Sequence, residues 1–267
     1  MRSRVRRTGL SVLAVLAMVV SLVPLAMAPA IAADFTETFD DASGFTVSTD
    51  FFSDGFGDYF GLTDGATGDF GAGALPTSLK AYTGFDGSFL TGMDLNGEGA
   101  TMPIVVDWAG IDISGMTSPE FSGDFAEFFD DPGDIDDSDY IRVSYQVDAG
   151  GYAELLWFSA ADFSSTSGPF NGIFREDTDF DGTGDGTALG DAAQTFTAAI
   201  PATGSTLDLR LSVLVEAGDE DFAVDNFSVT DGGGGSDPVT IYDVQYTEDS
   251  SGANPYIDQE VTVSGIV

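Results

Sequence analysis

The sequence predicts an all-β chain folded as a two-sheet antiparallel β-sandwich. Two runs carry most of that expectation. Ile141, Val143, Tyr145 and Val147 alternate with Arg142, Ser144 and Gln146, and Leu207, Leu209, Leu211, Val213 and Val215 alternate with Asp208, Arg210, Ser212 and Leu214. Alternation at period two puts every second side chain on one buried face of a strand. The third observation is that no segment has an apolar stripe at helical spacing, while short apolar runs recur between turns rich in Gly, Asp and Asn.

In chain order, the first segment is basic from Arg2 to Arg7, then apolar from Leu10 to Val23, then small at Ala28, Ala30, Ala32 and Ala33. This pattern predicts a secretory signal peptide over residues 1–33, cleaved after Ala32 or Ala33, and a secreted, extracellular product. The apolar run is shorter than the ~18–20 residues of a membrane span and ends in Pro24 and Pro29, so no membrane attachment is expected after cleavage. Phe35 to Asp40 alternates as a first strand. Residues 50–73 read as loops with short strands. Phe89 to Leu95 is a further strand before the Asn96-Gly97 turn, and Ile104 to Ile113 another. Residues 123–139 read as an acidic loop around Pro132-Gly133, solvated or holding an ion. Residues 141–147 and 152–158 form a hairpin across Asp148 to Gly151. In Phe222 to Thr230 the apolar parity slips at Asp225-Asn226, which predicts a bulge that aims Asp225 at a specific partner. The sandwich spans 34–230, a Gly-rich linker 231–238, and two strands of an incomplete second β domain 239–267.

Composition narrows the chemistry. The chain has 45 acidic and 8 basic residues; removing the segment before Asp34 takes four of the basic ones, leaving 4 − 45 = −41. Such a surface repels phosphates and anionic lipids, so no direct nucleic-acid binding is expected. It suits high salt, where charge is screened, or divalent cations. Cys and His are both absent. That removes disulfides, His-dependent nucleophilic triads and His-ligated zinc. Acid is plentiful, but no organised catalytic set is evident, and the chain reads as a non-catalytic module.

One run has the spacing of a metal site. Asp177, Asp179 and Asp181 alternate, Gly182 follows, and Asp185 comes four residues after Asp181. A hard Ca2+ ion takes six to eight oxygens, and a glycine at the sixth position allows the chain to curl around it. The loop is therefore expected to bind Ca2+ through Asp177, Asp179, Asp181 and Asp185, with the Thr183 carbonyl. The twelfth position is Ala188 instead of a bidentate Glu, and the flanks look like strand, so this is not an EF-hand. The other reading is a solvated Asp/Gly turn. Glu37 and Asp225, on the first and last strands, are expected to share a structural cation. Trp108, Trp157, Tyr82 and Tyr152 are candidates for stacking on sugar rings, but strand aromatics usually fill cores, and both tryptophans are expected there.

Glu37 to Asp40 with Phe222 to Val229 resembles the paired first and last strands of calcium-stabilised jelly rolls of the carbohydrate-binding-module type. Arg175 to Gly186 with Thr206 to Leu211 resembles an N-terminal sandwich of large secreted bacterial proteins. Thr240 to Val267 resembles the start of an OB-like domain preceding the catalytic domain in secreted nucleases of the endonuclease/exonuclease/phosphatase superfamily. The resemblance implies a jelly-roll accessory module whose partners are downstream domains of the same polypeptide. It transfers no catalytic residue to this chain. The alternatives are a carbohydrate-binding module for an extracellular polysaccharide and a structural adhesion module.

Overall fold

A computed structural model describes residues 34–66, 70–128, 135–160, 172–201 and 203–232. The expected signal peptide (1–33), all but the first two residues of the expected linker (231–238), and the expected strands of 239–267 lie outside these. Among the described residues the structure is β throughout, without an α-helix, and its 13 strands form two antiparallel sheets. The predicted sandwich is what the chain adopts.

One sheet is built on the last strand. β1 (Phe35–Glu37), β3 (Phe52–Ser53), β4 (Tyr59–Thr63), β5 (Phe89–Met93), β7 (Pro119–Ala126), β11 (Gln194–Ala199) and β13 (Asp221–Asp231) form it, in the order β11-β7-β13-β5-β4-β3. The second sheet runs β10 (Phe174–Glu176), β9 (Ala153–Ala160), β8 (Tyr140–Val147), β12 (Thr206–Leu214), β6 (Ile104–Asp112) and β2 (Thr46–Val47). β13 pairs with β7 along one edge; its other edge pairs with β5 over 221–224 and with β1 over 227–229. The predicted bulge lies where the partner changes. The register to β7 shifts between Asp225 and Ser228, and Asn226 takes φ 53°.

The alternating residues of 141–147 and 207–215 point inward as read. They meet a dense aromatic layer in which Phe227 contacts Phe39, Trp108, Phe121 and Phe125, with ring centroids 5.1–5.5 Å apart. Large rings in tilted and edge contacts give each residue much buried area, which offsets the absence of disulfides. One expectation is corrected. Residues 123–126 belong to strand β7, not to an acidic loop, because Phe121, Gly123 and Phe125 face the core while Glu120, Ser122 and Asp124 face out. At Gly123 a Cβ would lie 2.7 Å from the Phe227 ring, so the missing side chain is what admits that ring.

Candidate functional site

The acidic loop and the outer face of the six-stranded sheet meet at one edge. β10 pairs with β9 in the register Arg175 to Ser159, and the chain then turns back over β9. The turn is held by backbone: Asp177 N–H donates to the Trp157 carbonyl at 2.8 Å, and Gly184 N–H to the Ala160 carbonyl at 2.8 Å. A Cβ on Gly184 would stand 2.4 Å from the Ser159 carbonyl, so glycine permits the close approach.

Within the loop, Asp177, Asp179 and Asp181 each bring a carboxylate oxygen within 4.8 Å of the others, a group able to hold a metal ion. Asp177 is buried, and its two oxygens accept the N–H groups of Asp181 and Gly182 at 3.2 and 2.7 Å. Asp179 and Asp181 are exposed. Repulsion from Asp181 is the main reason the Asp179 carboxyl is raised above its ordinary value. Thr183 donates its N–H to Asp181 at 2.9 Å. Asp185 is not one of the trio, though its charge also helps to raise Asp179: its Oδ1 accepts the N–H and hydroxyl of Thr178 at 3.0 and 2.9 Å, which hold its own carboxyl low.

Glu37 and Asp225 are not partners, which corrects the shared-cation expectation. Their strands are neighbours, and Glu37 lies opposite Phe227 in register. Phe227 faces the core, and so does Glu37, whose Oε2 accepts the Trp108 indole N–H at 3.1 Å and whose Oε1 accepts Phe39 N–H at 2.8 Å. Asp225 precedes the bulge and shares the outer face of its sheet with Ala223, opposite Asp124 on β7. Burial, with repulsion from Asp124, Asp40 and Asp86, pushes its carboxyl up to about 7. Parity decides this: paired residues share a face, and the bulge turns Asp225 and Phe227 to opposite faces.

The aromatics divide. Trp108 is core, as expected, and Tyr82 is half-buried, its hydroxyl donating to Asp221. Trp157 is not core. It stands half-buried on the outer face of β9, where the Arg142 guanidinium lies 3.8 Å from its ring centroid and 4.6 Å from that of Tyr140. Glu154 pairs with Arg142 at 3.5 Å. Further along the same face Arg210 stacks at 4.4 Å over the exposed Tyr152 ring and grips Asp107 with two bonds of 2.7 and 3.0 Å. Of the four cationic side chains in residues 34–232, Arg142, Arg175 and Arg210 all sit on this sheet. The loop joins this surface: a Cβ at Gly182 would be 3.8 Å from the Trp157 ring, and the loop tip exposes Phe180. The sequence signal was present in the alternation for Arg142 and Arg210, which are out of phase with the core residues of their strands; on β9 both Leu155 and Leu156 are core, so parity did not reveal which way Trp157 turns.

No family model matches the chain, and no curated protein does. Among solved structures, the chain is similar to the K3 cleaved adhesin domain of Lys-gingipain from Porphyromonas gingivalis, at 15% identity and TM-score 0.39, covering 74% of this chain and 99% of that one. It is similar to the CBM22-1 xylan-binding domain of Xyn10C from Paenibacillus barcinonensis, at 13% identity and TM-score 0.32, covering 73% and 91%. A CBM35 from the same organism gives 16% identity and TM-score 0.29, covering 73% and 98%. Similarity at this level leaves the functional reading to the residues of the site.

Proposed function

We propose that the sandwich is a non-catalytic, calcium-stabilised carbohydrate-binding module whose ligand face is the outer surface of the six-stranded sheet. The observation that supports this is the placing of Tyr140, Trp157 and Tyr152 with Arg142 and Arg210 on that one face. Aromatic faces stack on the C–H faces of sugar rings, and fixed guanidinium and carboxylate groups bond hydroxyls. From Tyr152 to Trp157 the chain rises about 16 Å at ~3.3 Å per residue, room for a run of several sugar units along the strands. An open surface of this kind suits an extended polysaccharide better than a chain end.

Calcium at the 177–185 loop would have a defined part. Asp177, Asp179 and Asp181 supply hard oxygen donors, and binding would fix the loop against Trp157. The attachment of this module to a secreted nuclease rests on the resemblance of residues 239–267, which lie outside the described residues. The ligand is tested by depletion of the protein onto a panel of insoluble polysaccharides in calcium, beside Trp157→Ala. The expected result is retention on at least one neutral polysaccharide, weakened about tenfold or more by the substitution, which corresponds to ~1.4 kcal/mol. Retention on none, or equal retention by the variant, overturns the reading.

A further inference from the structure

A second group of carboxylates lies away from this face. β8 and β12 pair with Tyr140 opposite Leu214, so the residues before β8 and those after β12 emerge side by side at one end of the sheet. Ile135, fully buried, anchors the first of these segments, with its N–H on the Gly172 carbonyl at 3.3 Å. Asp136 and Asp139 from that segment and Glu220 from the β12–β13 turn bring carboxylate oxygens within 4.8 Å of one another.

Each carboxylate is held by one oxygen. Asp136 Oδ1 accepts the N–H and hydroxyl of Ser138 at 2.7 and 2.6 Å. Asp139 Oδ2 accepts Asp136 N–H at 2.6 Å. Glu220 Oε2 accepts the N–H groups of Glu216 and Ala217 at 2.6 and 2.9 Å. Asp139 is 2% and Glu220 4% exposed, and Asp139 Oδ1 is buried with no hydrogen-bond partner. Among the described residues no Lys or Arg forms an ion pair with any of the three. A buried carboxylate oxygen left without donor or counter-charge is costly unless something positive meets it. Asp136 is exposed and leaves an open side by which an ion and its waters can enter.

We propose that Asp136, Asp139 and Glu220 form a binding site for a hard divalent cation of the Ca2+ class, distinct from the 177–185 loop. Asp139 Oδ1 is its inner ligand, Glu220 and Asp136 supply further oxygens, and water completes the shell. The ion ties the segment before β8 to the β12–β13 turn. The competing arrangement is a proton shared between Asp139 and Glu220.

The test is calorimetric titration of the metal-free protein with CaCl2 at constant ionic strength and neutral pH, in an Asp179→Asn background that disables the loop. The expected result is one Ca2+ bound per chain in that background. Asp139→Asn or Glu220→Gln should abolish it, and Asp136→Asn, at an exposed position where folding is not at risk, should weaken it at least tenfold. No binding in the Asp179→Asn protein overturns the proposal. So does binding within twofold of the parent when Asp136, Asp139 or Glu220 is neutralised. A shared proton would show itself as no calcium response, with Asp139→Asn melting higher than its parent in chelator. Polysaccharide retention is not used in this experiment, so its outcome is independent of the glycan reading.

Discussion

Glu37 shows how one buried carboxylate can be a structural acceptor and nothing more. Its two oxygens take the indole N–H of Trp108 and the N–H of Phe39, a buried residue held at φ 50°. Left-handed backbone costs a non-glycine residue about 1–2 kcal/mol, and the Phe39 ring offsets it by packing against Phe45, Trp108 and Phe227. Glu37→Ala would leave two buried donors without partners. It should lower stability by about 2–4 kcal/mol in urea unfolding, while Glu37→Gln, which keeps an acceptor, loses less. Asp225 behaves differently. Its carboxyl, held up to about 7 from an ordinary 3.8, is neutral in the folded state at pH 5 but costs energy to ionise there as pH rises. The folded state then binds more protons than the unfolded one, so this group's contribution to stability falls between about pH 4 and 7 and is gone above. Asp225→Asn stays neutral throughout. In chelator its melting temperature should exceed that of the parent at pH 8 and approach it at pH 5; an equal difference at both would contradict the assignment. The slip in parity at Asp225-Asn226 was legible in the sequence. Which way each side chain turned was not, because that depends on β1 and β7 pairing on either side of β13.

At the scale of elements, the strands that alternate cleanly were legible because one face is buried and the other wet. β7 was not, since Gly123 stands at a core position and acidic residues crowd the strand's outer face. The 177–186 loop was legible as an oxygen-rich turn. That Asp185 would bond Thr178 was not, because that contact depends on how the loop folds back over β9. A loop that gathers Asp177, Asp179 and Asp181 should bind Ca2+ with modest affinity, there being no bidentate Glu to close the shell. Calcium should raise the melting temperature at constant ionic strength, by about 2.7 kcal/mol of stability at a hundredfold excess over Kd. Asp179→Asn should remove the part of that gain that belongs to the loop. An undiminished calcium response in Asp179→Asn would return the loop to a solvated turn. Gly184→Val is a second probe. Its side chain would collide with the Ser159 carbonyl and with Arg175, so the loop should lift from β9 and lose its calcium response while the sandwich remains folded.

For the whole molecule, the dominant facts are a formal charge of −37 and an uneven distribution of the few cations. Self-repulsion of that size destabilises the compact state at low ionic strength. Raising salt from 0.1 to 1 M shortens the Debye length from about 10 to 3 Å and should raise the melting temperature even in chelator. A melting temperature that does not change with NaCl would show that the acidic groups are already compensated. Against this background three of the four arginine and lysine side chains in residues 34–232 lie on one sheet, with Trp157, Tyr140 and Tyr152 among them. The central claim is that this face takes the ligand, and the two tryptophans of the chain report on it separately. Trp108 is buried with its indole N–H on Glu37, while Trp157 lies on the outer face. The most direct measurement is a nitrogen-15 NMR titration of the two indole N–H signals with a soluble fragment of the retained polysaccharide. The Trp157 signal should shift with ligand concentration and the Trp108 signal should stay in place; a stationary Trp157 signal under saturating ligand would contradict the assignment of the binding face.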